Sequence, residues 1–191
     1  MSFFVQAGVL IVQVVFGLYI LAVLLRFLFQ LVRADFYNPI SQFVVALTNP
    51  VLRPLRRVIP GLFGVDVASL LLLLLLKVGE LYLVAALVGG TPTLPGAIVM
   101  SVADLIVLAL HVFMVAIIVR AVISWFLPYG GYNNPIAGVL ARLTDPLLRP
   151  AQRLIPTVGG LDLSPIAVLI VLQLAILLVG HLLLGIGRLG S

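Results

Sequence analysis

Seven consecutive leucines, Leu70 to Leu76, sit inside an apolar stretch that runs from about Val67 to Val88. In water such a stretch has nowhere to go. In a bilayer it has the right length, since ~20 apolar residues wound at ~1.5 Å each span the hydrocarbon core. Three further stretches of this kind occupy roughly residues 4–32, 97–126 and 163–187. The whole chain of 191 residues is 63% apolar and only 9% charged, with a mean hydropathy of +1.34. Soluble domains run nearer ~45–50% and ~25%, so a water-soluble fold is excluded, and so is disorder. Runs that are continuous rather than alternating also exclude a barrel. The expected fold class is an all-α integral membrane protein with four transmembrane helices. The first stretch lacks a positively charged lead-in and runs on to Leu25, so it reads as a retained helix rather than a signal peptide.

The connections between these spans are of two kinds. Residues 89–96, GGTPTLPG, form a short uncharged turn. The other two connections are longer and match each other without gaps. NPISQFVVALTNPVLRPLRRVIP, from Asn38 to Pro60, aligns with NPIAGVLARLTDPLLRPAQRLIP, from Asn134 to Pro156, at a constant offset of 134 − 38 = 96. The shared pairs include Asn38/Asn134, Thr48/Thr144, Arg53/Arg149, Arg57/Arg153 and Asp66/Asp162. The chain is therefore expected to be two parallel tandem repeats, residues 1–96 and 97–191, each a helix, an amphipathic cytoplasmic segment and a second helix.

The formal charge is +5, from eleven Lys plus Arg against six Asp plus Glu. Because the basic residues lie beside apolar spans, anionic lipid headgroups are the expected partner and nucleic acid is not. Arg33, Arg53, Arg56 and Arg57 fall in the first long connection, and Arg142, Arg149 and Arg153 in the second. The positive-inside rule then places both connections in the cytoplasm and both termini in the periplasm of a bacterial inner membrane. Two copies that start on the same side are parallel, related by an approximate two-fold along the membrane normal, which counts against an inverted-repeat transporter.

Each long connection should open with a helix. Asn38 and Asn134 suit an N-cap, and Pro39 and Pro135 suit the first helical position, where no amide hydrogen is needed. Ile40, Phe43, Val44 and Leu47, then Ile136, Val139, Leu140 and Leu143, make one apolar face in each copy. The helix is expected to stop at Asn49-Pro50 and Asp145-Pro146, because a residue before proline avoids helical dihedrals. Beyond it Pro54, Pro60, Pro150 and Pro156 frame the arginines. Arg53, Arg56, Arg57, Arg149 and Arg153 are the candidate binding residues for lipid or a protein partner, since a guanidinium donates two hydrogen bonds at once to a phosphate. Asp66 and Asp162 should cap the following spans or pair with these arginines.

Charges inside hydrocarbon are costly and point to function by default. Lys77, Glu80 and Asp104 are expected to lie at similar depths and to form a buried triad between the second and third spans. Lys77 and Glu80 have no charged counterpart, aligning with Gln173 and Ile176. His111 and His181 are the only histidines, and their different depths argue against joint ligation of haem. The absence of cysteine removes disulfides, thiolate nucleophiles and cysteine-based metal sites. No phosphate-cradling glycine motif, HExxH or GxSxG context is present. No catalytic residue, metal or cofactor is expected.

The two NP…TNP/TDP…LRP…IP segments, with Arg26 and Arg120 ahead of them, resemble the YggT family of small bacterial membrane proteins, which has cyanobacterial and plastid relatives. The spacing differs between copies: Arg26 to Asn38 is 12 positions and Arg120 to Asn134 is 14, with extra residues near 129–132. The resemblance implies links to haem attachment or nucleoid distribution in plastids, and to envelope, division or osmotic phenotypes in bacteria. The function expected from all of this is a non-catalytic assembly or organising factor that binds anionic lipid or another membrane or cytoplasmic protein, with homo-oligomers allowed. The alternative is a small ion or osmolyte transporter using Lys77, Glu80 and Asp104. The lesser alternative is haem handling.

Overall fold

The apolar runs become helices that begin where a short polar side chain can take an orphan amide. A computed structural model describes residues 2–34, 38–59, 61, 64–126, 135–155 and 162–188. Six helices hold most of the described residues: α1 (Phe3–Leu31), α2 (Pro39–Val58), α3 (Val67–Val88), α4 (Leu94–Phe126), α5 (Pro135–Leu154) and α6 (Ser164–Arg188). Ser2 caps α1, the Asn38 side chain accepts from the Ile40 amide at 2.9 Å to start α2, and Asp66 accepts from the Ser69 amide to start α3. Gly89, at φ +79°, ends α3 in the left-handed conformation that a residue without Cβ takes freely. Helix α4 starts at Leu94, earlier than the turn suggested, because Pro95 stands in a first turn that needs no amide from it.

Four of these six helices, α1, α3, α4 and α6, are long and apolar enough to cross a bilayer, and the chain is a multi-pass membrane protein. Their outer faces carry exposed residues such as Leu10, Leu18, Leu75, Ile118, Val171 and Leu178, an apolar surface that only lipid can solvate.

Helices α2 and α5 correct one expectation. Neither stops at its first proline. Helix α2 runs through Pro50 and Pro54 to Val58, and α5 through Pro146 and Pro150 to Leu154. The reason is where the prolines sit. Spaced four apart, they share one exposed side of the helix, so the carbonyls they deprive of an amide are not sealed in the core. The opposite side, Ser41, Val44, Thr48 and Leu52 of α2, is buried and holds the helix on course. Pro60, Asn134 and Pro156 lie outside the described residues, as do the extra residues near 129–132.

Packing builds two units of the same design. In the first, α1 lies against α3 and α2 lies on α1. In the second, α4 lies against α6 and α5 lies on α4. Ile117, Leu148, Val168 and Leu172 form the core of the second unit. The core of the first, around Val23, Leu24, Leu28, Leu52, Leu72 and Leu73, extends to Ala116, Val139 and Leu143 of the second. The units meet through α3 on α4 and through α5 on α1 and α2. There is no matching packing of α6 on α1, so the halves do not interchange under the two-fold that their parallel order suggested. One flank shows this directly. Phe43 and Leu47 of α2 are 68% and 45% exposed, whereas Val139 and Leu143, their counterparts at the 96-residue offset, are 5% and 2% exposed.

Candidate functional site

The most constrained polar group in the molecule is a guanidinium inside a transmembrane helix. Arg26 is only 6% exposed. Its Nη1 donates to the Val45 carbonyl at 3.2 Å, the Thr48 hydroxyl at 2.7 Å and the Asn49 side-chain oxygen at 2.9 Å. Thr48 in turn donates to the Val44 carbonyl at 2.7 Å, an i−4 bond that aims its oxygen lone pairs at Arg26. The clasp grips α2 in the turn just before Pro50.

The same clasp recurs in the second half. Arg120 Nη1 donates to the Ala141 carbonyl at 3.3 Å, the Thr144 hydroxyl at 2.6 Å and Asp145 at 2.7 Å. These three acceptors match Val45, Thr48 and Asn49 at the offset of 96, so Arg120 is the counterpart of Arg26 despite the 12-against-14 spacing. The extra residues lie after Arg120 and are taken up before α5 begins. Sequence reasoning had set Arg26 and Arg120 aside, because a lone arginine in an apolar run is easily read as an interfacial anchor. The usable signal was the repeated Thr, which pairs with nothing on its own helix.

A second polar link joins α2 to the start of α3. Arg56 pairs with Asp66 and donates to the Gln30 side-chain oxygen at 3.2 Å, and Asp66 also accepts from the Ser69 amide and hydroxyl. Burial pushes the Asp66 carboxyl up, but the Arg56 and Ser69 hydrogen bonds outweigh it and leave the group below the ordinary carboxylate range. In the second half Gln152 takes the place of Arg56 and donates to Asp162 at 2.8 Å, while Asp162 accepts from the Ser164 amide at 2.9 Å. Burial raises Asp162 as well, and here too the hydrogen bonds from Ser164 and Gln152 prevail and lower it. Both aspartates thus cap a span and tie it to the preceding helix.

Of the expected binding arginines, Arg53, Arg57, Arg149 and Arg153 are exposed and Arg56 is held half-buried by Asp66. Arg149 also makes an i, i+4 contact with Asp145 at 2.7 Å. Burial raises Asp145, but Arg120 first and Arg149 second more than offset this and lower it. Asn38 and Pro39 shape the start of α2 as expected, and α5 starts at Pro135. Two grooves run along the polar side of α2. One, of about 660 Å³, is lined by Arg26, Gln30, Gln42, Val45, Ala46, Asn49 and Arg56. The other, of about 360 Å³, continues past Pro50 to Arg53, Pro54 and Arg57.

The structure also brings the intramembrane charges together. Lys77 Nζ lies 3.0 Å from Glu80 and 3.3 Å from Asp104. They are less sheltered than expected, since the Asp104 side chain is 55% exposed on the flank of α4 although Glu80 is buried. These three line a cavity of about 250 Å³ together with His111. His111 uses Nδ1 on the Val107 carbonyl at 2.8 Å, which leaves Nε2 towards open space. His181 is exposed on α6. Among the described residues no group of three or more His, Asp or Glu side chains is placed to hold a metal ion.

A finding from the other half reaches this region. Arg33 takes the left-handed conformation at φ 51° where α1 ends, a position that glycine usually fills. Its carbonyl accepts from Arg142 Nη1 at 3.0 Å, so α5 holds the end of α1.

The chain matches the CCB3/YggT family model over residues 5–87 and again over 99–183. It is 45% identical to an uncharacterised protein of Pseudomonas aeruginosa over 91% of this chain and 88% of that one. An uncharacterised protein from the proC 3′ region of Vibrio alginolyticus is 39% identical over 91% and 93% of the two chains. The uncharacterised protein YggT of Escherichia coli K12 is 39% identical over 85% and 83%. No solved structure matches.

Proposed function

This chain belongs to the CCB3/YggT family, and from that premise we propose that it is a non-catalytic assembly or organising factor of the inner membrane. Its two halves act as parallel copies, and their Pro-framed basic helices face the cytoplasm and engage anionic lipid or a protein partner. The observation that carries this reading is the repeated arginine clasp. Arg26 and Arg120 spend their donors on Thr48 and Thr144 to fasten α2 and α5, and the fastened helices turn Arg53, Arg57, Arg149 and Arg153 outward. An arginine that is rigidly presented and not needed for folding is suited to recognising a phosphate or carboxylate. The test is to change those four arginines to glutamine, confirm topology by accessibility labelling, and compare native mass spectra of the gently solubilised protein. Loss of retained lipid or partner is expected. Retention equal to wild type would end the proposal.

A second reading rests on a separate observation, the cavity shared by Lys77, Glu80, Asp104 and His111 at the depth of the spans. A chain that places a half-exposed carboxylate there can pass a proton or cation, and four spans would then need an oligomer to complete the path. Flux in proteoliposomes that survives Glu80→Gln together with Asp104→Asn would remove this reading.

A further inference from the structure

Buried charges in proteins are ordinarily paired. Arg120 obeys this through Asp145 at 2.7 Å. Arg26, the more deeply buried of the two, does not. Its three acceptors are a carbonyl, a hydroxyl and a side-chain amide, and no carboxylate among the described residues lies within ion-pair distance of it. The difference comes from one position, Asn49 in the first half and Asp145 in the second. A second position agrees with it. Ala46 leaves the 660 Å³ groove open beside Arg26, whereas its counterpart is Arg142, a long side chain committed to the Arg33 carbonyl. A third is Arg56, a further cation lining the groove, where the second half has Gln152.

We propose that the groove between α1 and α2 binds a phosphate-type anion, which supplies to Arg26 the negative charge that Asp145 supplies to Arg120. Arg26 and Arg56 attract it, and the Asn49 and Gln30 amide groups line its seat. Asp66 holds Arg56 at the rim without cancelling Arg26. The groove is open on one side, so the phosphate of a phospholipid headgroup or a free phosphate ion can enter. The inference deepens the basic-face reading above but locates the specific site at different residues, Arg26 and Asn49 rather than the outward arginines.

The second half provides the test. Asn49→Asp installs an internal counter-ion that this fold already accommodates at Asp145, so the variant is expected to fold with unchanged or higher melting temperature. The purified full chain is titrated with phosphatidylglycerol, phosphatidylcholine and inorganic phosphate, and binding is read by native mass spectrometry and by the shift in melting temperature. Wild type should retain phosphatidylglycerol over phosphatidylcholine, and Asn49→Asp should bind it roughly tenfold or more weakly, the scale of a lost charge-assisted contact. Arg56→Gln, copying Gln152, should weaken it in the same direction. If inorganic phosphate gives the same Asn49-dependent shift, the anion is free phosphate. If it does not, the anion is the lipid headgroup. Equal binding by wild type and Asn49→Asp overturns the site. A quadruple Gln variant at Arg53, Arg57, Arg149 and Arg153 separates the two ideas: lipid lost there but kept in Asn49→Asp leaves the basic face standing and the groove refuted, and the reverse pattern does the opposite.

Discussion

The two halves of this molecule share a scaffold and differ in charge and in what covers it. Both fasten an interfacial helix with one arginine, one threonine hydroxyl and one backbone carbonyl. The last acceptor of the clasp is neutral in the first half and ionised in the second. The flank next to the clasp is bare in the first half, at Phe43 and Leu47, and buried in the second, at Val139 and Leu143. Backbone geometry is therefore set by the shared groups. The residues that vary decide which half can still take something from outside. The second half has used its flank on the first half and its charge on itself.

The largest effect expected from this contrast lies in the flank. Leu143→Ala should cost about 2–3 kcal/mol of stability through the cavity it leaves, while Leu47→Ala should cost under about 0.5 kcal/mol because its side chain is already exposed. Thermal unfolding in detergent would measure both, and equal costs would break the comparison. The clasps come next. Arg120→Gln breaks an ion pair and should cost about 2 kcal/mol. Arg26→Gln removes a charge that has only neutral partners and should cost nearer 1 kcal/mol in zwitterionic detergent, as its own burial is no longer penalised. Added phosphatidylglycerol should widen the cost of Arg26→Gln and leave that of Arg120→Gln alone.

A smaller effect is read in acid. Asp66 has a lowered pKa against an ordinary value of 3.8. A depressed carboxylate contributes stability that is full above its unfolded value and is lost as pH falls through its folded one. Melting temperature of wild type should therefore drop more steeply below about pH 3.8 than that of Asp66→Asn, which has no such group to protonate. Asp162 shifts in the same direction, so Asp162→Asn should flatten the same acid limb. The smallest effect is Arg149→Gln. Its contact with Asp145 is an exposed i, i+4 pair worth about 0.3–0.5 kcal/mol, and salt should erase it.

Much of the fold was legible in the chain, and so was part of the site. Asn38 and Asp66 could be read as caps because a helix start needs a side-chain acceptor, a local requirement. Lys77, Glu80 and Asp104 could be grouped because helical rise converts residue number into depth. The stop at Pro50 could not be judged locally. Whether a proline ends a helix depends on what packs the other side, and that is Val44, Thr48 and Leu52 against a helix distant in sequence. Arg26 was unreadable for a similar reason, since its partners lie 19 to 23 positions away on another helix.

What the amino-acid sequence determined alone is everything that follows from solvent and local geometry: four spans forced by apolar length, a duplicated polar segment, and the places where helices begin. Hydrophobic length and capping act over a few residues, so they are written directly in the order of side chains. Only the tertiary structure decided that Arg120 matches Arg26, that α5 turns its apolar flank onto the first half while α2 leaves its own bare, and that Asn49 rather than an aspartate completes the first clasp with no counter-charge. These depend on which surfaces meet, and the closeness of two helices is fixed by the packing of the whole bundle.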